Sequence, residues 1–317
     1  MTVQILNGDC RDVLQTLPEG SINMCVTSPP YYGLRDYGGQ EKQIGLEQSP
    51  EEYIAQLVEV FREVRRTLRD DGTLWVNIGD SYYNYRSGEA FVKQSVAKTK
   101  QDLPSFSPSR NNKLAGLKSK DLIGIPWMLA FALRADGWYL RQDIIWHKPN
   151  PMPESVKDRC TKAHEYIFLL SKSKNYYFDY EAIREPAVTA PVARNKAAEG
   201  YQADYPNGDR FSDGERVWGE DNKRMKRSVW TVNTKPYKEA HFATFPTELI
   251  EPAIIAGCPR DGMVLDPFGG SGTTGYVSDK LGRNATLIEL NPSYIEIAEN
   301  RIDPPEQRLD SNLFEWQ

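Results

Sequence analysis

A serine, two prolines and a tyrosine stand together at Ser28-Pro29-Pro30-Tyr31, directly after an apolar run through Ile22, Met24 and Val26. Proline cannot donate to a sheet ladder, and each one pushes the residue before it towards an extended conformation. The corner is therefore stiff, non-helical and held at a strand end. It either terminates the strand and no more, or presents a hydroxyl, a prolyl carbonyl and an aromatic face in fixed relation. A second stretch with chemical content is VLDPFGGSGTTG, Val264 to Gly275. Gly270, Gly272 and Gly275 satisfy G-x-G-x-x-G, and Glu289 lies near the spacing of a ribose-binding acid. A nicotinamide-binding turn and a purely structural turn both meet that pattern, whereas no lysine follows the glycines as a P-loop requires. Asp266, placed before Pro267-Phe268, shifts the balance. A carboxylate aimed into the turn suits a ligand with a cation, such as an amino-acid ammonium, and repels a pyrophosphate.

These groups need a scaffold, and the chain supplies strand-like runs alternating with helix-like ones, as in a parallel sheet covered on both faces. Strands are predicted at Val3 to Leu6, Ile22 to Thr27, Thr73 to Ile78, Tyr139 to His147, Glu165 to Ser171, Met263 to Leu265 and Ala285 to Leu290. Ser49-Pro50-Glu51-Glu52 opens a helix with a serine cap, an early proline and a capping box closed by Glu52. Tyr53, Ile54, Leu57, Val58, Phe61, Val64 and Leu68 recur there at helical spacing, with Asp71-Gly72 as the expected stop. Further helices are expected at Ile125 to Ala135, Pro246 to Gly257, Thr273 to Leu281 and Pro292 to Arg301. Two stretches, 84–120 and about 187–229, are periodic in nothing, and long unpatterned loops inside an α/β core are usually functional.

Composition bounds the reading without deciding it. The 317 residues are 39% hydrophobic and carry a net charge of −5. That sum argues mildly against a nucleic-acid partner, but distribution matters more. Lys93, Lys98, Lys100, Arg110, Lys113, Lys118 and Lys120 form one basic concentration; Lys223, Arg224, Lys226, Arg227, Lys235 and Lys238 form another. On charge alone these are solvated loops or phosphate contacts in equal measure. Four scattered cysteines with no Cys-x-x-Cys pair, and three separated histidines, suggest a reducing compartment and no metal site. No apolar stretch is long enough to span a bilayer and no signal-peptide pattern opens the chain, so the expected location is cytoplasmic, with no membrane partner.

Taken together, DPFGGSGTTG resembles the cofactor loop of S-adenosylmethionine-dependent amino methyltransferases, and TSPPYYG resembles their catalytic motif of the S/D/N-P-P-Y type. The catalytic segment comes first, the permuted order of the β-class DNA methyltransferases. ILNGDC, GTLWVNIGDSY, IIWHKPNPMPES, HFATFP and LIELNPSYIEIA follow that family's order over most of the chain. The resemblance implies a Rossmann-like, mostly parallel seven-stranded α/β sheet with one antiparallel strand, circularly permuted. It places a catalytic half in 1–83 and 121–171, and a cofactor half in 236–303. Between these fall a basic loop at 84–120 and a target-recognition insertion at 172–235, and a tail at 304–317 follows.

Carried over residue by residue, the resemblance has Asp266, Pro267, Phe268, Gly269, Gly270, Ser271, Gly272 and Thr273 wrap the methionine part of S-adenosylmethionine. Glu289 bridges the ribose hydroxyls, with Asn291 beside it. Asp9 and Cys10 border the adenine, and the segment of His241, Thr244 and Pro246 closes over the methionine carboxylate. Simpler readings stand beside these: Asp9 as a helix cap, Asn291-Pro292 as a turn, His241 without direct contact. The Trp146–Pro151 segment lines the base pocket, where His147 reads as a packed histidine, with general-base action as the alternative. Trp127, Trp138 and Trp230 read as core or loop anchors.

An exocyclic base amine is a poor nucleophile because its lone pair is delocalised into the ring. Two acceptors on its N–H bonds favour the pyramidal amine, and the resemblance gives Ser28 Oγ and the Pro29 carbonyl that role, with Pro30 stiffening the corner. Tyr31 offers a stacking surface to a base flipped out of duplex DNA. Serine at this position favours N4 of cytosine over N6 of adenine within the resemblance, while C5 methylation lacks its Pro-Cys pair. Double-stranded DNA is the expected partner, read through the unpatterned loops, Tyr201 to Arg227 mixing aromatics with arginines as a base-reading loop does. A homodimer and a cognate restriction endonuclease are the protein partners compatible with this reading. Rival classes are a nicotinamide oxidoreductase, an inactive nucleic-acid-binding relative, and an RNA or protein methyltransferase.

Overall fold

The computed structural model describes residues 1–33, 42–83, 116–187, 223–235 and 245–304. His241, Thr244, the C-terminal tail from 305 and most of both unpatterned stretches therefore lie outside the described residues. Asp179–Arg227 forms a compact unit of its own, in which β6 (Glu185–Pro186) pairs antiparallel with β7 (Lys223–Arg224). Arg224 and Arg227 both donate to Glu185 there.

The main unit is built on an eight-stranded sheet. Its strands are β1 (Val3–Asn7), β2 (Ile22–Thr27), β3 (Leu68–Ile78), β4 (Tyr139–His147), β5 (His164–Ser171), β8 (Val229–Thr231), β9 (Met263–Asp266) and β10 (Asn284–Glu289). The order across the sheet is β1-β10-β9-β2-β3-β5-β4-β8. Only β5 runs against its neighbours, pairing antiparallel with both β3 and β4. Seven of these strands match the expected set. The eighth, β8, comes from within the stretch expected as an insertion and pairs parallel with β4 at the sheet edge.

Helices follow the apolar spacing closely. α1 (Cys10–Thr16) packs beside α2 (Pro50–Thr67), and α3 (Ile125–Ala135) begins and ends where the sequence predicts. α4 (Thr247–Gly257), α5 (Thr273–Lys280) and α6 (Pro292–Ile302) complete the set. Helix α2 buries Tyr53, Ile54, Leu57, Val60, Phe61 and Val64, a stripe fixed by the 3.6-residue repeat. Ser49 caps it by accepting from the Glu52 amide, but Glu52 reaches back one residue further than a capping box, to the Gln48 amide.

One expected boundary is wrong. Asp71-Gly72 does not stop α2; the helix ends at Thr67 and β3 begins at once with Leu68. Residues 69–72 lie in a register shift, since Ile22 pairs with Leu68 whereas Met24 pairs with Thr73. A turn-like dipeptide here marks a bulged strand rather than a helix end. Among the described residues no helix is long and apolar enough to cross a membrane.

Candidate active site

β2 and β9 are neighbours in the sheet although 239 residues separate Thr27 from Asp266. Both strands end at the same level, so the turn that follows each opens onto one cavity of about 840 Å³. Asp266 ties the two turns together. Its Oδ1 accepts from the Thr27 hydroxyl at 2.6 Å and the Phe268 amide at 3.0 Å, and its Oδ2 accepts from the Thr274 hydroxyl at 2.6 Å. The side chain is 1% exposed, and burial raises its pKa against the opposing effect of these donors. Each hydrogen bond to a buried carboxylate contributes roughly 1.5–3 kcal/mol, so the corner and the bend are held in one rigid unit.

The bend itself needs glycine. Gly272 has φ of 76° and caps α5; a Cβ there would stand 2.8 Å from Ala298 Cβ on α6. Gly270 has φ of 50°, and a Cβ on it would meet nothing closer than 3.9 Å, so that side of the turn faces open space. The Gly270 amide donates to Glu289 Oε2 and the Asn291 amide to Glu289 Oε1, both at 2.8 Å. Burial raises the Glu289 pKa, opposed by these two amides. Asn291 caps α6 through the Ser293 amide. At the end of β1, Asp9 caps α1 through the Arg11 amide and pairs with its guanidinium at 2.6 Å. Burial pushes the Asp9 carboxyl up, but the Arg11 hydrogen bonds outweigh it and hold it below the usual range. The Cys10 thiol, also buried, is pushed up to about 12, so it stays a neutral packing group at physiological pH.

Of the residues expected to hold the cofactor, Asp9, Cys10, Asp266 to Ser271, Thr273, Glu289 and Asn291 all line the cavity. Gly272 stands behind the bend, and Pro246 is buried as the N-cap of α4 while Phe245 beside it lines the cavity.

Ser28, Pro29, Pro30 and Tyr31 line the same cavity. The Pro30 carbonyl accepts from the Tyr53 hydroxyl at 2.7 Å, which moors the corner to α2. Among the described residues Ser28 Oγ and the Pro29 carbonyl have no hydrogen-bond partner. Tyr31 donates to Glu165 Oε2 at 2.6 Å, and Asn77 donates to the same oxygen at 3.3 Å. Lys148 pairs with Glu165 Oε1 and sits 4.1 Å from the Trp146 ring centroid. Asp80 caps α3 through the Gly124 and Ile125 amides. Lys162 donates to the Asp80 carbonyl at 2.9 Å; burial lowers its pKa, as burial and then Lys162 lower that of His164.

Glu165, Lys148, Asn77, Asp80 and Lys162 all line the cavity; Lys148 belongs to the segment expected at the base pocket, and sequence reasoning gave the other four no role. His147 goes the other way. It is exposed, neither packed nor in the cavity, and its Nδ1 is 3.1 Å from Thr231 Oγ1. Trp138 and Trp230 are buried, and Trp127 packs edge-on against Tyr166 and Phe168.

The donors and shapes fit S-adenosylmethionine. An open-faced glycine turn lies between a buried carboxylate, Asp266, suited to an ammonium, and a half-buried one, Glu289, suited to a pair of ribose hydroxyls, with Phe268, Ile288 and Leu290 as apolar walls. Comparison with known proteins agrees. Residues 22–300 match the N6/N4 methyltransferase family, described as DNA methylase. Type II methyltransferase M.Cfr9I of Citrobacter freundii is 49% identical over 314 residues, 98% of this chain and 89% of that protein. Type II methyltransferase M.SmaI of Serratia marcescens is 48% identical, over 94% of this chain and 90% of that protein. The solved PvuII DNA methyltransferase (cytosine-N4-specific) superposes with a TM-score of 0.64 at 18% identity, covering 99% and 92% of the two chains. A DNA modification methylase of Thermus thermophilus, solved in complex with S-adenosyl-L-methionine, gives 0.58 at 24% identity over 95% and 93%. At such identities the solved structures speak for the fold, and the first two relatives together with the family match speak for descent. This chain belongs to the N6/N4 methyltransferase family of DNA methylases.

Proposed function

We propose that this enzyme methylates N4 of cytosine in duplex DNA, using S-adenosylmethionine held by the bend after β9. The observation that carries the reading is the Thr27–Asp266–Thr274 clasp, which sets the prolyl corner and the glycine bend on one cavity. Bound there, S-adenosylmethionine supplies a methyl group on a sulfonium centre. Asp266 and Glu289 would orient it through its ammonium and ribose, and the walls of the bend exclude water from the amino-acid end. Across the cavity, Ser28 Oγ and the Pro29 carbonyl accept the two amine N–H bonds of the base and leave its lone pair directed away from the ring. Among the described residues neither accepts from a protein donor, which supports this role, since an acceptor already used polarises an amine less. Tyr31 gives the base a stacking surface worth about 1–3 kcal/mol, which offsets much of the unstacking cost.

Serine in place of an acid at position 28 supports cytosine. Adenine N6 is the runner-up, because a neutral hydroxyl also accepts from that amine. DNA reading falls to the segments at 84–120 and 172–235, whose basic residues suit phosphate and guanine contacts. The Type II naming of the relatives supports a restriction endonuclease of matching site as the functional partner. Incubation with genomic DNA and S-adenosylmethionine, followed by nucleoside mass spectrometry, tests the assignment. N4-methylcytosine is expected; N6-methyladenine alone would transfer the assignment to the runner-up, and neither product would end it.

A further inference from the structure

We propose that Glu165 is a positioning residue that fixes the plane of the Tyr31 ring, so that the surface for the flipped base is assembled before DNA arrives. This rests on the stacking role given to Tyr31 above.

The chain brings four segments together to do this. Tyr31 follows β2, Asn77 lies on β3, Lys148 follows β4 and Glu165 lies on the reversed strand β5. Register explains the meeting: Ile78 pairs with Tyr166 across β3 and β5, and Trp146 pairs with Glu165 across β4 and β5. Glu165 is thus central to the group, with its side chain 15% exposed. Its Oε2 takes the Tyr31 hydroxyl at 2.6 Å and the Asn77 amide at 3.3 Å. The Asn77 amide also donates to the Tyr166 carbonyl at 3.1 Å, which fixes which way that amide faces. Lys148 answers the charge at Oε1, and its own position is set over the Trp146 ring.

A tyrosine ring turns about a broad, two-fold torsion, so a ring held only by its Cβ has no fixed plane. Here constraints act on the ring at separate places, and the hydroxyl also lies 3.4 Å from Asn77 Oδ1. The hydroxyl is tied to Glu165, and one side of the ring lies against Gly79, where a Cβ would come within 2.7 Å of Tyr31 Cε2. A lone carboxylate in this place would carry an uncompensated charge. The Lys148 ammonium is what allows an acceptor of this strength at the floor of the cavity.

The test uses the full-length enzyme and a duplex carrying the site mapped with the wild type. Glu165→Ala should lower kcat about ten- to a hundredfold, the worth of a charged hydrogen bond, with KM for DNA and donor affinity within about twofold of wild type. Tyr31→Phe keeps the ring and should lose kcat to a similar degree. The double variant should be no more than about twofold slower than the slower single variant, because Glu165 acts through the hydroxyl. Glu165→Gln retains an oxygen acceptor and should keep most of the activity. Without methyl donor, 2-aminopurine at the target position should stack less in Glu165→Ala than in the wild type, read as weaker quenching.

Multiplicative losses in the double variant would overturn the proposal, as would a Gln variant as slow as the Ala variant or quenching equal to the wild type. Should Glu165→Ala fail to fold, the Gln variant and Tyr31→Phe still decide it. A wild type that methylates no DNA at all would instead sink the assigned function.

Discussion

The corner after β2 and the bend after β9 face one cavity, yet their polar groups are disposed in opposite ways. At the bend, Asp266 accepts three protein donors and Glu289 two, so both carboxylates help to build the turn as well as line the cavity. At the corner, Ser28 Oγ and the Pro29 carbonyl accept from none of the described residues. The means of stiffening differ accordingly. Proline rings fix the corner's backbone angles covalently, and the bonds that moor it, at Thr27 and the Pro30 carbonyl, leave Ser28 Oγ and the Pro29 carbonyl untouched. Glycine loosens the bend, which must then be tied by its carboxylates. The lesson is that acceptors can be left over for a substrate only where the backbone is rigid without them.

Three substitutions test that contrast. The largest effect is expected at the corner: Ser28→Ala should lower methyl transfer by roughly a hundred- to a thousandfold, as loss of one preorganised hydrogen-bonding group does. Donor affinity by calorimetry and the melting temperature should stay at the wild-type values. A variant with full activity would show that the hydroxyl takes no part in activation.

At the bend the reverse is expected. Gly272→Ala forces a side chain into positive φ and against Ala298, at a combined cost of about 2–4 kcal/mol. Urea denaturation should register that loss, together with weaker donor binding. A neutral result in both measurements would mean that the turn is not under steric control.

The smallest effect concerns Glu289, whose pKa burial raises above the ordinary 4.5. A carboxyl with a raised folded pKa binds its proton more readily folded than unfolded. Its contribution to stability is therefore full below pH 4.5 and is lost as pH rises through the folded value. The stability of the wild type relative to Glu289→Gln should then grow as the pH falls from 7 towards 4.5, by less than the loss expected at Gly272. Urea titrations of both proteins across that range measure it. A gap that stays constant with pH would contradict the burial given to this side chain. Ser28→Ala, at the other turn, should show no such dependence.

Much of this arrangement was legible beforehand, because the strand and helix periods are local properties. α3 runs over Ile125–Ala135 and β4 over Tyr139–His147, as their patterns require. The two turns announce themselves by residues that few other contexts tolerate, glycines at positive φ and a proline pair. What was missed depends on register. Lys148 and Glu165 each lie in recognisable stretches, yet nothing local says that Trp146 will face Glu165 across a reversed strand. Their one sequence signal is an acid and a base at the adjoining ends of two successive strands, and it becomes informative only once β4 and β5 are known to pair antiparallel. Asp71-Gly72 misled for a related reason: a dipeptide that usually stops a helix sits in a bulge forced by β2 alongside. His147 was expected to pack, but β8, unforeseen at the sheet edge, leaves it facing solvent beside Thr231.

The interleaving of the sheet has a consequence for the newborn protein. β9 and β10 slot between β1 and β2, so these two strands keep flanks open until segments more than 200 residues later in the chain are made. A fragment that stops before β9 therefore lacks the glycine bend altogether, and the cavity is complete only when both late strands have joined the sheet.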